Sequence, residues 1–527
     1  MKNFDYIIAG GGSAGCVLAA RLSENPDVNV LLLEAGGSDW NPLFHWPAGF
    51  VKMTKGIASW GWSTVPQTHM NNLVLRYTQA KVIGGGSSIN AQLYNRGNRL
   101  DFEEWRQLGC EGWSYDDVLP YFRRIEDFSR PADEYHGNGG PLGVSDPVAP
   151  LPICEAYFKA AGQLGIPRNS DFNGESQDGV GYYQLSQKNA RRSSTATAYL
   201  KPARNRPNLS FRTDAFVNRV VIEKNRVIGI EVVGRNGLET IRANREVIVS
   251  SGAIGSPKLL MQSGIGPADH LKSVGIKPLH DLPGVGSNFQ DHVDLCVICE
   301  CTGDHTYDKY SKLRWSALAA LQYLVFKNGP VASSLFETGG FWYVDQYARS
   351  SDIQFHLGLG SGIEAGVAKL KNSGVTLNSC YLRPRSRGTI RLASSDPKVA
   401  PLIDPNYWAD PYDREMSIKG LRLARDIMRQ EALRLFIKAE RVPGPERVSD
   451  ADLIAYGCRH AKTDHHPAGT CKMGHDANSV VTPDLKLHGL DGLRICDASI
   501  MPTLVSANTN AATIMIAEKA AEMINRQ

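Results

Sequence analysis

The chain opens on a short apolar run, Phe4 to Ala9 (FDYIIA), rich in residues that favour strands and too short for a helix. A glycine cluster (GGGSAG) follows, then CVLAARLSE, which reads as a helix, then VNVLLLE, a second apolar run ending at Glu34. Strand, glycine turn, helix and strand in that order predict a β-α-β unit. EVIVSS running into GAIGSPKLLMQSGIG, Gly252 to Gly266, predicts another strand–glycine–helix passage. Val217 to Gly234 (VNRVVIEKNRVIGIEVVG) has two β-rich runs about a polar turn and predicts a hairpin. Met416 to Phe436 spaces its apolar residues three or four apart and predicts a helical stretch. The longest apolar run, Trp315 to Phe326 (WSALAALQYLVF), has 12 residues. A membrane-spanning helix needs ~18–20, so an ordinary half-buried helix is expected there, with docking onto a membrane surface as the alternative.

At 527 residues the chain exceeds the ~100–200 of a usual domain, so two domains, or one with a second grown out of it, are expected. Hydrophobic residues at 42% and charged residues at 21% exclude disordered and fibrous classes. The 51 glycines exceed the common share of ~7% and point to tight turns and close backbone approaches. Lys and Arg number 58 against 54 Asp and Glu, a net charge of +4 that gives no reason to expect nucleic acid or an acidic membrane as partner. Ten scattered cysteines are not a disulfide framework. With no signal peptide before the first strand, a reduced cytoplasmic location is expected, peripheral to the inner membrane at most.

Gly10, Gly12 and Gly15 form G-x-G-x-x-G in register with the β-α-β pattern. Gly10 permits the tight turn, Gly12 lets a pyrophosphate approach the backbone, and Gly15 lets helix pack on strand. The helix N-terminus then faces the phosphates with unpaired N–H groups and a favourable dipole. Glu34, 24 positions after Gly10, can accept hydrogen bonds from the adenosine ribose hydroxyls. The motif alone does not separate FAD from NAD. A second loop, AKVIGGGSSIN from Ala80 to Asn90, exposes backbone suited to lie against a flat ring or a phosphate.

Later stretches narrow the choice: WGWSTVPQ at Trp60 to Gln67, HGNGGP at His136 to Pro141, PGVGSNFQDH at Pro283 to His292, HHPAGTCKMG at His465 to Gly474, and the segment Asp497 to Ile524. Together with the N-terminal fingerprint, their order resembles the glucose–methanol–choline (GMC) family of FAD-dependent oxidoreductases, in particular its bacterial choline and alkanol dehydrogenase branch. The resemblance implies an α/β, Rossmann-type FAD-binding domain from residues 1–150, 200–295 and 460–527. It implies a substrate-binding domain of the α+β type, built on an antiparallel sheet, from 151–199 and 296–459.

The resemblance also carries residue roles. His466, before Pro467, matches the family's catalytic histidine, and Asn508 matches the second catalytic position. A neutral imidazole suits removal of a hydroxyl proton, since its reference pKa of ~6.5 lies near working pH, and an amide would hydrogen-bond the developing alkoxide. The adjacent His465 is read as structural. Gly85 and Asn90 match the loop beside the flavin ring, Val217 a backbone contact to adenine, and Asp497 and Ala498 the segment near the ribitol and pyrophosphate. Asn510 and Thr513 begin a last helix whose N-terminus faces the pyrimidine edge of the flavin. Ile89 stands where some relatives carry a histidine bonded to FAD, so FAD is expected to be held non-covalently. Glu337 lies where choline-oxidising relatives place a carboxylate near the substrate's cationic head, although relatives acting on uncharged alkanols carry it too. No metal is expected, because the spacing of His465, His466, Cys471 and His475 fits no regular ligand pattern. The expected reaction is oxidation of a primary alcohol to the aldehyde, with O₂ or a quinone-like molecule as final acceptor. The alternatives are a related non-redox flavoprotein such as a hydroxynitrile lyase, an NAD-dependent dehydrogenase and a non-catalytic binding protein.

Overall fold

The computed structural model describes residues 4–234 and 237–527. The predicted β-α-β unit is present as strand Phe4–Ala9, helix Ser13–Leu22 and strand Val30–Leu33. All four residues of the second strand are buried, as its unbroken apolar sequence requires of a parallel strand covered on both faces. In this sheet Leu209–Arg212 pairs with Val30–Leu33, which pairs with Phe4–Ala9, and beyond that lie Gly237–Val249 and Leu493–Ile495, every neighbour parallel. The strand Gly237–Val249 serves two layers. Ala243 to Val249 pair with the first strand, whereas Gly237 to Arg242 continue antiparallel to Arg226–Gly234, which pairs in turn with Phe216–Glu223. The last two strands are the predicted hairpin. Its turn residues Lys224 and Asn225 both have positive φ, 48° and 62°, the handedness that matches strand twist in a tight hairpin.

The C-terminal helix Asn510–Asn525 packs beside Ser13–Leu22, and Arg21 of the first helix binds Glu518 of the last through Nε at 3.0 Å. The glutamate side chain is fully buried and also receives Arg124 and the Tyr199 hydroxyl, so its charge is compensated.

A second sheet is antiparallel. Its order is Ile437–Val442, Val293–Cys301, Gly374–Tyr381, Ile353–Gly358, Thr338–Trp342 and Gly179–Tyr182, with Lys462–Thr463 paired to the start of Val293–Cys301. Alternation gives it two faces. Ile353, Phe355, Leu357, Val375 and Leu377 enter an apolar core that includes the helix Pro411–Met428. Gln354, His356 and Asn378 point the other way, with His356 directly opposite Asn378.

Several expectations are corrected. The helix predicted for Met416 to Phe436 starts earlier, where Asp410 caps Pro411–Met428, and it ends at Met428, because Gln430 is extended. Strand Val293–Cys301 and Lys462–Thr463 belong to the second sheet, although the expected boundaries split the former and assign the latter to the FAD side. The hairpin Thr389–Arg391 with Leu402–Asp404 lies inside the expected substrate segment, yet Ile390 and Ile403 pack into the first core. The helix Leu313–Phe326 is not half-buried: Ala319 and Tyr323 face inward, while Leu318, Leu321, Leu324, Val325 and Phe326 are exposed. Among the described residues no helix is long and apolar enough to cross a membrane. All ten cysteines are buried free thiols.

Candidate active site

An elongated cavity runs from the carboxyl ends of the parallel strands to the polar face of the antiparallel sheet. Its two lobes, both open to solvent, span about 1110 and 1190 Å³ including that opening and share Ser13, Gly86, Gly252, Ala498 and Thr513 in their walls. Gly10, Gly12, Glu34, Gly85, Val217 and Asp497 line the lobe at the strand ends.

The fingerprint glycines hold this wall open for different reasons. Gly10 has φ 116°, and a Cβ there would meet Ser250 O at 2.4 Å. A Cβ on Gly15 would fall 1.9 Å from Gly10 O, so helix and strand approach only through glycine. A Cβ on Gly12 would meet nothing nearer than 3.9 Å, because it would project into the cavity. The helix behind it has no side-chain cap, so its first N–H groups are free for an anion. Glu34 Oε2 accepts from Gly11 N at 2.9 Å and Oε1 from Gly36 N at 2.6 Å, which fixes the carboxylate at the cavity edge. Burial pushes its pKa up to about 7 against those two hydrogen bonds. Asp497 ties its own turn to the helix Gly252–Gln262, accepting from Gly252 N and Ser256 Oγ of that helix and from Ser499 N. Ser13 Oγ donates to Asn510 Oδ1 at 2.8 Å, joining the N-termini of the first and last helices at the junction of the lobes. Nearby, Arg192 is buried with no carboxylate partner. It donates to Ser87 O and, at 2.7 Å, to Asn90 Oδ1, while its Nε and Nη2 have no partner among the described residues, and burial pulls its pKa down to about 9. Uncapped helix ends and bare glycine backbone suit a long, phosphate-bearing cofactor.

In the other lobe His466 and Asn508 meet, with Asn508 Nδ2 3.0 Å from His466 Nε2. The hydrogen bonds fix the protonation pattern. Asn95 Nδ2 and Gln354 Nε2 both donate to Asn508 Oδ1, at 2.8 and 3.0 Å, so the Asn508 amide nitrogen faces His466. His466 Nε2 is therefore an acceptor, and Nδ1 of the neutral ring carries the hydrogen. That hydrogen goes to His292 Nδ1 at 3.0 Å, and His292 Nε2 donates to Leu382 O at 3.0 Å. The backbone of His466 is pinned separately, its N–H donating to Asp291 Oδ1 at 2.8 Å. Burial lowers the His466 pKa to about 4, against the opposing pull of Asp464, so the ring is a neutral base at ordinary pH.

Asn90, Asn510 and Thr513 also line this lobe, as does Ile89 at the end of the short helix Gly86–Ile89. Gly15 lies behind the wall in a packing role. Two expectations change. His465, read as structural, lines the cavity beside His466, because its φ of 60° turns consecutive side chains to one side. Glu337 does not line it. Its neighbour Phe336 does, while Glu337 Oε2 is held by Ser333 Oγ at 2.5 Å and Ser334 N at 3.2 Å. Among the described residues, the carboxylates that do reach this lobe are Glu364 and Asp464. Sequence reading missed these two along with His292, His356 and Asn378. A signal existed for some of them: His292 ends a quoted motif, and Gln354 and His356 alternate with Ile353, Phe355 and Leu357, a polar face over an apolar one.

Family models described as GMC oxidoreductase match residues 4–294 and 384–517. Over 99% of its length the chain is 41% identical to an alcohol dehydrogenase [acceptor] of Pseudomonas putida, covering 96% of that protein. It is 40% identical, also over 99% of its length, to an oxygen-dependent choline dehydrogenase of Sinorhizobium fredii, covering 95% of it. The crystal structure of pyridoxine 4-oxidase from Mesorbium loti superposes with a TM-score of 0.91 at 33% identity, over 100% of both chains. The two-sheet architecture, the glycine-walled cavity and these full-length matches have one explanation: the chain belongs to the GMC oxidoreductase family.

Proposed function

We propose that the protein oxidises a primary alcohol to the aldehyde, with His466 as the base and Asn508 as the group that holds the substrate oxygen. FAD, the cofactor of this family, supplies the acceptor for the hydride that leaves the carbinol carbon. The observation that carries the reading is the 3.0 Å contact between Asn508 Nδ2 and His466 Nε2 on the cavity wall. A hydroxyl placed between them replaces that bond with two: it accepts from the amide and donates to the imidazole. As the hydroxyl proton moves to Nε2, the oxygen gains charge against the Asn508 N–H, whose direction Asn95 and Gln354 have already fixed. The imidazolium that forms keeps its Nδ1 hydrogen on His292, with Asp464 Oδ2 3.5 Å away to balance the charge. The carbinol carbon gives up its hydride, and the carbonyl forms.

The cofactor residues keep the roles that the resemblance implies: Gly10 for the tight turn, Gly12 for the approach of the pyrophosphate, Glu34 and Val217 for the adenosine end, Asp497 and Ala498 for the ribitol and pyrophosphate, and Gly85, Asn90, Asn510 and Thr513 for the flavin ring. With Ile89 at the linking position, FAD is held without a covalent bond. Anaerobic mixing of holoenzyme with a panel of alcohols tests the reaction. Bleaching of the flavin is expected, and a flavin that no alcohol bleaches refutes it. Admitting air, or a quinone analogue, to the bleached enzyme then distinguishes O₂ from a quinone-like acceptor.

The exposed helix Leu313–Phe326 supports a peripheral membrane position. Lys309, Lys312, Arg314 and Lys327 surround its apolar residues, and no acidic residue lies between Asp308 and Glu337. Exposed leucines flanked by cations are complementary to an anionic lipid surface. Co-sedimentation with phosphatidylglycerol vesicles, absent with phosphatidylcholine and lost in Leu321→Glu, is the expected result. Salt-independent self-association through this helix, without vesicle binding, would refute it.

A further inference from the structure

The sheet side of the substrate lobe holds more acceptors and more negative charge than oxidation of an alcohol requires. Three carboxylates share one ammonium there: Lys462 Nζ lies 2.7 Å from Asp294 Oδ2, 3.0 Å from Glu364 Oε2 and 3.5 Å from Asp464 Oδ1. Burial raises the Asp294 carboxyl to about 7, so this group is partly neutral; even with Asp294 protonated, Glu364 and Asp464 outweigh Lys462 by one charge. The imidazoles that face them do not restore the balance, because burial holds His356, His465 and His466 below their usual pKa and so uncharged.

The unpaired atoms are as specific as the charge. His356 and Asn378 line the lobe at 4% and 1% exposure, and His356 Nε2 and Asn378 Oδ1 have no hydrogen-bond partner among the described residues. Asp464 Oδ2 is buried without one, 3.9 Å from His356 Nδ1. Glu364 reaches Lys462 and, at 3.4 Å, Asn378 Nδ2 through Oε2 alone. Buried acceptors and uncompensated charge of this kind are costly unless a ligand satisfies them. A plain alkyl chain satisfies neither. A quaternary ammonium supplies charge without an N–H, and among the described residues lining this lobe Phe50 and Phe336 are the only Phe, Tyr or Trp, not the cage such a group prefers. A protonated amine supplies both.

Resting on the alcohol oxidation proposed above, we infer that Glu364, Asp464 and Asn378 form a subsite for an N–H-bearing ammonium group, and that the preferred substrates are amino alcohols. Glu364 is the principal partner, since it is the more exposed carboxylate and its second oxygen is uncommitted. Asp464, beside His466, orients the bound amine relative to the reacting hydroxyl.

The test uses FAD-loaded enzyme and two readouts. Anaerobic stopped-flow reduction compares linear amino alcohols, from ethanolamine to aminohexanol, with the equal-length alkanols and with the N-trimethylated alcohols. A charge-assisted hydrogen bond predicts about a tenfold to hundredfold preference in kcat/KM for the ammonium alcohol over the alkanol at its best length. In Glu364→Gln that preference ratio should fall at least several-fold, and in Glu364→Lys it should reverse in favour of hydroxy acids of the same length. Separately, butylammonium and butanol are titrated while the flavin spectrum is followed. This measures the subsite without turnover, and tighter binding of butylammonium is expected. Equal binding of the two, or equal use of trimethylated and N–H-bearing alcohols, overturns the inference. If no alcohol bleaches the flavin but butylammonium still binds preferentially, the subsite stands and the proposed reaction falls.

Discussion

Replacing His292 by alanine tests the hydrogen-bond chain that prepares His466. The variant removes the acceptor 3.0 Å from His466 Nδ1 and the donor 3.0 Å from Leu382 O. Leaving a buried donor unpaired costs about 1–3 kcal/mol. That cost falls on the tautomer with hydrogen on Nδ1, the only neutral form with a free Nε2 lone pair for the substrate. At about 1.4 kcal/mol per factor of ten, flavin reduction by an alcohol should slow roughly 5- to 150-fold. Asp464 Oδ2, at 3.5 Å from Nδ1, becomes the remaining acceptor and keeps the loss toward the lower end. A carboxylate partner favours the protonated ring, so the His466 pKa should rise from about 4. The base works only when neutral, so kcat/KM falls as pH drops through that pKa, and the acid limb should move to higher pH in the variant. His292→Asn places an amide oxygen near the lost Nδ1 and should recover part of the rate. Stopped-flow reduction across pH, with FAD content checked by absorbance, measures all three. Wild-type rate and an unmoved acid limb in His292→Ala would show that His292 only fills space.

His466→Ala should retain FAD and reduce its flavin about 10²–10⁴-fold more slowly, the usual worth of a positioned base, with the acid limb gone. His465→Ala should be much milder, and equal losses in the two would move the base assignment. Gly12→Val should fold and lose FAD, because its side chain would enter the cavity, whereas Gly15→Val should not fold, because even a Cβ there lies 1.9 Å from Gly10 O. Circular dichroism and absorbance of the purified variants separate these outcomes, and FAD bound normally in Gly12→Val would contradict the pyrophosphate assignment. Heat or acid denaturation followed by filtration should release free yellow FAD, while flavin that stays with the precipitate would mean a bond from a residue other than Ile89.

Local order was legible in the sequence wherever one segment supplied its own explanation. Phe4 to Glu34 spells out strand, turn, helix and strand because the glycines and apolar periods that build the unit are consecutive, and Lys224-Asn225 marks its own hairpin. His466 and Asn508 were legible too, through the motifs around them. Only the tertiary structure decided what those residues do together. The tautomer of His466 depends on His292 from the start of one strand, on Leu382 from the end of another and on Asn508, which Asn95 and Gln354 orient; no spacing along the chain encodes such a chain of donors and acceptors. Burial, which drives the His466 pKa down, is likewise a property of the assembled sheets. The same limit misplaced Glu337 and hid Glu364 and Asp464: a one-residue alternation turns Phe336 to the cavity and Glu337 away, while a left-handed His465 brings its side chain to the wall beside His466. Apolar composition alone could not show whether Leu313–Phe326 has anything to pack against, and in the folded chain most of its leucines have nothing.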